Sequence, residues 1–167
     1  GLRFGMTGRL LVDGAASIER LQYSSSRDVP VWDRFALRFG DGSDLRLRDP
    51  RRLGGVMLDP DEDRLGADAL SLTWAELDAA LGTSTAPLKA RLLDQAHIAG
   101  IGNLLADEIL WRAGLDPARP AGGLSAGERA ALHASIAEVL AELGARGGSH
   151  TGDVRQAAAL DGLCPRD

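Results

Sequence analysis

IAGIGNLLADEIL, residues 98–110, joins a glycine-pinched turn directly to an amphipathic helix and decides how the second half of the chain folds. Gly100 and Gly102 permit a sharp reversal with positive φ and let a ligand approach bare backbone. Asn103 is suited to cap the helix that follows, which the pattern predicts over residues 103–113. Because N–H groups and the positive end of a helix dipole favour an anion, the stretch predicts a phosphate site. The alternative is a packing corner whose glycines only allow close contact.

Composition places the chain of 167 residues, 44% of them hydrophobic, among globular proteins with a buried core. No apolar run reaches the roughly 18 residues of a membrane span, and no secretory leader is present, so we predict a cytoplasmic protein without a membrane partner. Nothing in the pattern indicates an obligate oligomer, and we predict a monomer. The net charge of -5 is unevenly spread, with +3 over residues 1–52 and -6 over residues 53–88. A basic surface for nucleic acid is therefore compatible with the acidic total.

Residues 1–58 have strand character. Apolar and polar residues alternate on both sides of the turn at residues 40–42, which predicts a β-hairpin with one buried face and one arginine-rich face. A further strand is predicted over residues 18–23. Arg51 and Arg52 then stand between Pro50 and two glycines, so their guanidinium groups are predicted on a loop, where they could fork to phosphate or to a base edge. The alternative is an ion pair with Asp49.

Residues 59–72 are acidic and predict a solvated linker, after which helical signals begin. Capping boxes at residues 73–76 and 125–128 predict helices that end near Leu81 and before Gly147. Ser84 is predicted to cap a helix that runs to Gln95. Asp107 and Glu108 diverge by about 100° on a helix, which favours a solvated face over a catalytic pair. Residues 147–153 are glycine-rich and polar and predict a mobile loop.

Taken together, these segments resemble the bacterial formamidopyrimidine-DNA glycosylase and endonuclease VIII family of base-excision repair. The matching segments follow the family's order over nearly the whole chain: GMTG at 5–8, DPRR at 49–52, LLDQ at 92–95, GIGN at 100–103, ADEIL at 106–110, AGLDPARP at 113–120 and the Gly147-Gly148 loop. The chain departs from the family's usual residues at Leu53, at Leu105 and at Arg3-Phe4. Each segment is weak alone, whereas the ordered set is specific.

The resemblance implies an α+β fold, a partial antiparallel β-sandwich followed by an all-α helix-two-turn-helix domain. The domains would be residues 1–58, the linker 59–72, the helical domain 73–163 and the start of a zinc-finger-like or zinc-less hairpin at 164–167. The implied partner is double-stranded damaged DNA, and the implied site of action is the bacterial nucleoid. The implied DNA contacts are Met6, Arg51, Arg52, Lys89, Gly102 and Asn103. A loop of Gly147, Gly148, Ser149, His150 and Thr151 would close over the damaged base.

The implied function is that of a DNA glycosylase with abasic-site lyase activity on oxidised bases, purines and pyrimidines being left undistinguished. The family's nucleophilic N-terminal proline and neighbouring glutamate would lie upstream of Gly1, so no catalytic residue is expected in the chain, which we expect to be an inactive fragment. A zinc site would begin at Cys164, but Asp167 stands where the second cysteine of the pair belongs. The alternative function is a non-catalytic helix-two-turn-helix or helix-hairpin-helix module that binds nucleic acid.

Overall fold

A computed structural model of the chain describes residues 1–5, 7–16, 27 and 29–154. The chain divides into two compact units, Gly1–Asp61 and Glu62–Asp167. The described part of the first unit is built from antiparallel strands, and that of the second is mainly helical. The predicted α+β class is therefore confirmed. Within the described ranges, no helix has the length and apolarity needed to cross a membrane.

In its described residues, the first unit contains a four-stranded antiparallel sheet and a separate strand pair. The strands are β1 (Leu2–Arg3), β2 (Arg9–Val12), β3 (Ala15–Ala16), β4 (Asp33–Arg38), β5 (Asp44–Arg48) and β6 (Gly55–Val56). The sheet has the order β3-β2-β5-β4, and β1 pairs with β6. The predicted hairpin is confirmed as β4 and β5, joined by the turn at residues 40–42. The strand predicted over residues 18–23 lies outside the described residues, and the second layer of the sandwich stays a prediction.

The burial of side chains on the two faces of this hairpin differs from the prediction. Leu47 is fully buried, but Leu37 and Phe39 are 43% and 49% exposed, so burial is confined to the Leu47 end of the apolar face. Arg48, predicted to be solvated, is buried because Asp33 lies opposite it on β4 and pairs with its Nε at 2.5 Å. A cross-strand carboxylate thus lets one arginine of the polar face leave solvent.

The second unit packs helices around one core. Up to residue 154, its α-helices are α1 (Trp74–Leu81), α2 (Leu88–Leu93), α3 (Asn103–Ala113) and α4 (Ala126–Ala145), and two short strands, β7 (Ala67–Asp68) and β8 (Ile98–Ala99), pair in parallel. Every α-helix contributes fully buried side chains to this core: Leu77, Leu81, Leu88, Leu92, Ile109, Leu132, Ile136 and Val139. Ile98 of β8 and Ile101 of the turn before α3 belong to the same core.

Local signals set most of the helix ends. The capping boxes are confirmed at Thr73 with Glu76 for α1 and at Ser125 with Glu128 for α4. A backbone hydrogen bond from Ser125, followed by a contact from Arg119, lowers the pKa of Glu128 to about 2. Gly114 ends α3 in the left-handed conformation with a φ of 69°. The amino end of α4 is therefore closed by its own carboxylate.

The prediction for α2 is wrong at both ends, since the helix also stops at Leu93 rather than at Gln95. The helix begins at Leu88 rather than after Ser84, and its N-cap is Pro87, which makes no side-chain cap. Proline disfavours helical backbone in the residue before it, so Ala86 cannot join the helix. Ser84 instead accepts a hydrogen bond from the Ala86 amide at 3.3 Å, in a turn ahead of the helix.

Much of the acidic segment predicted as a linker belongs to the second unit. β7 pairs with β8, and Ala69 and Leu72 are buried in the helical core. The boundary between the two units lies after Asp61. The acidic residues at 61–63 suggest a solvated segment, but the buried positions, Ala69 and Leu72, come after them in the sequence.

Candidate nucleic-acid interface

The turn before α3 is fixed from inside the protein. Gly100 has a φ of 99°, a conformation that side chains disfavour, and Ile101 between the two glycines is buried. Gln95 holds the turn with both ends of its amide: Oε1 accepts the Gly100 N–H at 2.9 Å, and Nε2 donates to the Ile101 carbonyl at 3.0 Å. Gly102 is exposed. The turn thus presents bare backbone to solvent on a rigid support.

The amino end of α3 is open. Its N-cap is Gly102, and no side chain of the described residues caps the helix. By contrast, α1 and α4 are both closed by complete capping boxes. The first-turn N–H groups of α3 therefore keep their capacity for water or an anion, and the helix dipole favours negative charge there.

Asn103 does not cap the helix as predicted, which is a correction. The extended backbone of Gly102, with φ of -99° and ψ of 176°, makes the glycine the cap and Asn103 the first helical residue. The Asn103 side chain lies one turn from the Asp107 carboxylate, and its Nδ2 donates to Asp107 Oδ2 at 3.4 Å. Its amide is therefore beside the open helix end instead of filling it.

Lys89 lies next to the same helix end. Its backbone N–H donates to the Pro117 carbonyl at 3.0 Å, which ties the start of α2 to the connector after α3. Its Nζ is 2.6 Å from Asp107 Oδ1. The structure thus brings together Lys89, Gly102 and Asn103, three of the residues predicted to contact DNA. Their contact with DNA stays a prediction.

A second predicted element, the arginine loop (residues 49–54), is built on a buried carboxylate. Asp49 is fully buried and accepts hydrogen bonds from the Thr7 hydroxyl, from the Arg51 N–H at 3.1 Å and from the Gly54 N–H at 2.6 Å. Burial raises the pKa of the Asp49 carboxyl, but the hydrogen bonds from Thr7, Gly54 and Arg51 outweigh it and hold the pKa below its ordinary value. The carboxylate fixes the loop backbone from beneath.

Arg51 and Arg52 are exposed on this loop, and Arg52 has a left-handed φ of 59°. Among the described residues, neither guanidinium forms an ion pair, because Asp49 is occupied by a hydroxyl and by backbone amides. The loop therefore displays both arginines, as the first of the two interpretations predicts. Met6 lies outside the described residues, and its implied contact with DNA stays a prediction.

Replacing Asp49 by asparagine is expected to destabilise the arginine loop by about 2 kcal/mol, because a buried, charged hydrogen-bond acceptor is lost. The measurement is hydrogen exchange at the amides of Arg51 and Gly54, which should quicken. Because the folded-state pKa of Asp49 is lowered, its contribution is complete above the ordinary value of 3.8 and is lost as the pH falls through the lowered value. The difference in loop stability between the wild type and Asp49→Asn should therefore shrink as the pH falls below 3.8.

The control for this variant is Asp61→Asn, which removes the same charge from an exposed position of the same unit. Unchanged exchange at Arg51 and Gly54 in Asp49→Asn would contradict the role given to the carboxylate.

The segment predicted to close over a base, residues 147–151, follows α4. Ser149–Thr151 form a 3-10 turn, and the Thr151 hydroxyl donates to the Gly148 carbonyl at 2.8 Å. Just beyond it, the Val154 N–H donates to Glu108 Oε2 at 3.1 Å. The segment is therefore attached to α3, the helix whose first turn forms the open end.

Glu108 is not on a solvated face as predicted: it is 2% exposed. Its Oε1 accepts from Arg112 Nε at 2.8 Å, and Arg112 also contacts Glu142 and, at 3.1 Å, Asp153. Contact with Glu142, then with Glu108, raises the pKa of the Arg112 guanidinium despite its burial, and Arg112 in turn lowers the pKa of Glu142. This charged network ties α3, α4 and the loop together.

The zinc prediction stays untested by geometry, because Cys164 and Asp167 both lie outside the described residues. Within the part of the chain that the structure describes, no three histidine, cysteine, aspartate or glutamate side chains meet in a cluster suited to a metal ion.

Gln95 and Glu108 are not among the residues predicted to form the site. The spacing of Glu108 and Arg112, four residues apart on a helix, is the signal that could have predicted their ion pair. Gln95 has no comparable local signal, because the partners that let it hold the turn lie five and six residues away.

Comparison with known proteins agrees with this geometry. Residues 65–154 match the formamidopyrimidine-DNA glycosylase H2TH domain. The chain is 40% identical to the formamidopyrimidine-DNA glycosylase of Paracoccus denitrificans, over 93% of this chain and 58% of the relative. It is 41% identical to that of a Roseiflexus species, over 92% of this chain and 62% of the relative. The chain thus spans about three fifths of the length of these relatives.

Solved structures show the same fold. The MutM (Fpg) protein of Thermus thermophilus superposes with a TM-score of 0.68 at 37% identity, covering 88% of this chain and 53% of that protein. Lactococcus lactis Fpg, solved in a complex with DNA that contains an abasic site, superposes with a TM-score of 0.70 at 23% identity, covering 99% and 65%. From the matched domain and these relatives, we conclude that the chain belongs to the formamidopyrimidine-DNA glycosylase family.

Proposed function

We propose that this chain supplies the part of a base-excision-repair DNA glycosylase and abasic-site lyase that binds the DNA backbone around an oxidised base. The open amino end of α3, beside the Lys89 ammonium and the Asn103 amide, is the observation that carries this function. Backbone N–H groups, a helix dipole and a cation together form a site for a phosphate oxygen. Membership of a glycosylase family makes a DNA phosphate the expected occupant.

The arginine loop would serve the same reaction from the first unit. A glycosylase must take its target base out of the duplex, which leaves a gap and an unpaired partner base. Arg51, displayed on a loop that Asp49 fixes, has the forked donors needed to bind that partner base. In this proposal Met6 fills the gap, and the loop at 147–151 covers the extruded base.

The proposed chemistry uses a secondary amine as nucleophile, as the family resemblance implies. The amine attacks the sugar carbon that carries the base and loses its proton, and the base leaves with the electrons of the bond to that carbon. The bond from the same carbon to the ring oxygen then breaks towards oxygen, which opens the sugar and gives the Schiff base. Loss of a proton from the neighbouring carbon and departure of the 3′ phosphate then cleave the strand. The described residues of this chain would hold the DNA for that step. We further propose that the protein acts as a monomer on nucleoid DNA in a bacterial cytoplasm, and that any zinc would be held near Cys164.

Lys89→Ala is expected to weaken binding of the chain to an abasic-site duplex about tenfold and to lower the salt slope of binding by about one, because one phosphate contact is lost. Asn103→Ala should weaken binding less, since a neutral amide releases no counterion. The measurement is fluorescence anisotropy of a labelled duplex across a salt series.

Arg38→Ala is the matched control, since it removes one positive charge from an exposed position near the hairpin turn. If Lys89→Ala and Arg38→Ala gave the same affinity and the same salt slope, the proposal of a phosphate site at α3 would be wrong.

If the protein is a glycosylase, we also expect tighter binding to abasic-site DNA than to intact duplex, and a smaller preference in Arg51→Ala. A non-catalytic module predicts no such preference.

A further inference from the structure

Asp107 contacts both side chains that the proposed function assigns to phosphate. One carboxylate oxygen, Oδ1, lies 2.6 Å from Lys89 Nζ, and the other, Oδ2, accepts from Asn103 Nδ2 at 3.4 Å. The carboxylate thus offers two oxygens to one cation and one amide, the same pattern of acceptors that a phosphate would offer. In the unliganded chain, Lys89 and Asn103 already have an anion.

The ion pair between Lys89 and Asp107 lies where a phosphate could replace the carboxylate. The side chains of Lys89 and Asp107 are 29% and 40% exposed, so water and ligand can reach the ion pair. A partly exposed pair of this kind is weak, which means that a phosphate can displace it. However, a phosphate that binds Lys89 brings its charge close to Asp107, and the two anions repel each other.

We propose that Asp107 is an internal competitor for phosphate: it holds Lys89 and Asn103 in the free protein and must release Lys89 when the DNA backbone binds at α3. This inference rests on the proposed function and deepens it. Asp107 lowers affinity for any phosphate backbone, so tight binding requires contacts beyond the phosphate site. Asp107 acts through Lys89 and sets the affinity of the phosphate site.

Asp107→Asn tests the competition, because asparagine keeps the shape and removes the charge. We expect this variant to bind duplex DNA about three- to fivefold more tightly at low salt, with the gain fading as salt screens the charges. A residue with only a structural role would not raise affinity when replaced. The control is Glu138→Gln, which removes one negative charge from an exposed position of α4.

The gain must depend on Lys89. In the Lys89→Ala background, Asp107→Asn should change affinity no more than Glu138→Gln does. Thermal unfolding followed by circular dichroism checks that each variant folds. Asp107→Ala, which favours the helix more than asparagine does, is the second variant.

A direct readout is available because Lys89 is the chain's only lysine. Protein grown on 13C-labelled lysine should give one side-chain Cε signal in NMR spectra. In the wild type, added duplex should shift this signal, as one anion replaces another. The free Asp107→Asn protein should show a displaced signal before any DNA is added.

The outcomes separate the two proposals. Tighter binding by Asp107→Asn that disappears in the Lys89→Ala background supports the competition. Salt-dependent binding that is equal or weaker in Asp107→Asn overturns the competition and leaves the proposed function intact. If no variant shows salt-dependent binding and the Lys89 signal is unmoved by DNA, both are overturned.

Discussion

Ile101→Ala is expected to lower the free energy of unfolding of the second unit by about 3 kcal/mol, because it opens a cavity in the core beneath the turn. Ile101 is the side chain that anchors the backbone between Gly100 and Gly102, and it is 1% exposed. With the anchor gone, the open end of α3 should also lose its fixed position. We therefore expect weaker DNA binding in addition to lower stability.

Urea unfolding, followed by the helical circular dichroism signal, measures the first effect. Ile101→Val should cost only about 1 kcal/mol, since it removes one methylene from the same place. Leu70→Ala is the matched control, because Leu70 belongs to the same unit but is 78% exposed. An Ile101→Ala protein as stable as this control would show that the turn is not held by the core.

Glu108→Gln is expected to lower the free energy of unfolding by about 3 kcal/mol, which is the lower end of the range for breaking a buried ion pair. The cost is not larger because Arg112 keeps Glu142 and Asp153 as partners. Glutamine retains the shape of glutamate, so the loss reports charge rather than packing. The Val154 amide, which donates to Glu108, should also exchange faster with solvent.

Hydrogen exchange along residues 148–154 locates this second effect, and urea unfolding gives its size. Glu138→Gln makes the same chemical change at an exposed position of α4 and should be within about 0.5 kcal/mol of the wild type. If Glu108→Gln matched it in both stability and exchange, the charged network would not be what fastens the loop to α3.

Where the determinants are local, the sequence predicts the fold well. α3 begins at Asn103 and ends at Ala113 as predicted, because glycines stand at both of its boundaries. The capping boxes of α1 and α4 are confirmed for a similar reason, since a hydroxyl and a carboxylate three residues apart suffice to start a helix.

Where partners come from distant parts of the chain, prediction failed. Glu108 has the local appearance of a solvated residue, but it is 2% exposed, and its Oε2 accepts from the Val154 N–H, 46 residues away. Arg48 is buried for the same kind of reason, because its partner Asp33 lies fifteen residues earlier on another strand. A charged residue leaves solvent when tertiary structure supplies its partner, and that partner is not visible in a window of sequence.

The candidate site contains residues that local sequence predicts and residues that it does not. Gly102 and Asn103 were found by their place at the start of a helix, and Lys89 only through the family resemblance. Asp107, whose contacts join Lys89 to Asn103, could be understood only once α2 and α3 were placed side by side. Met6 and Cys164, both outside the described residues, remain predictions from resemblance.

The pairing of β7 with β8 decides where the helical unit can be cut from the rest of the chain. Excision at Thr73, where the helices begin, would strip a strand from Ile98–Ala99 and remove Ala69 and Leu72 from the core. Ile98 and Ala99 would then lack their partner strand, and they directly precede the turn at Gly100. A separately expressed helical unit therefore has to begin before Ala67, even though α1 starts only at Trp74.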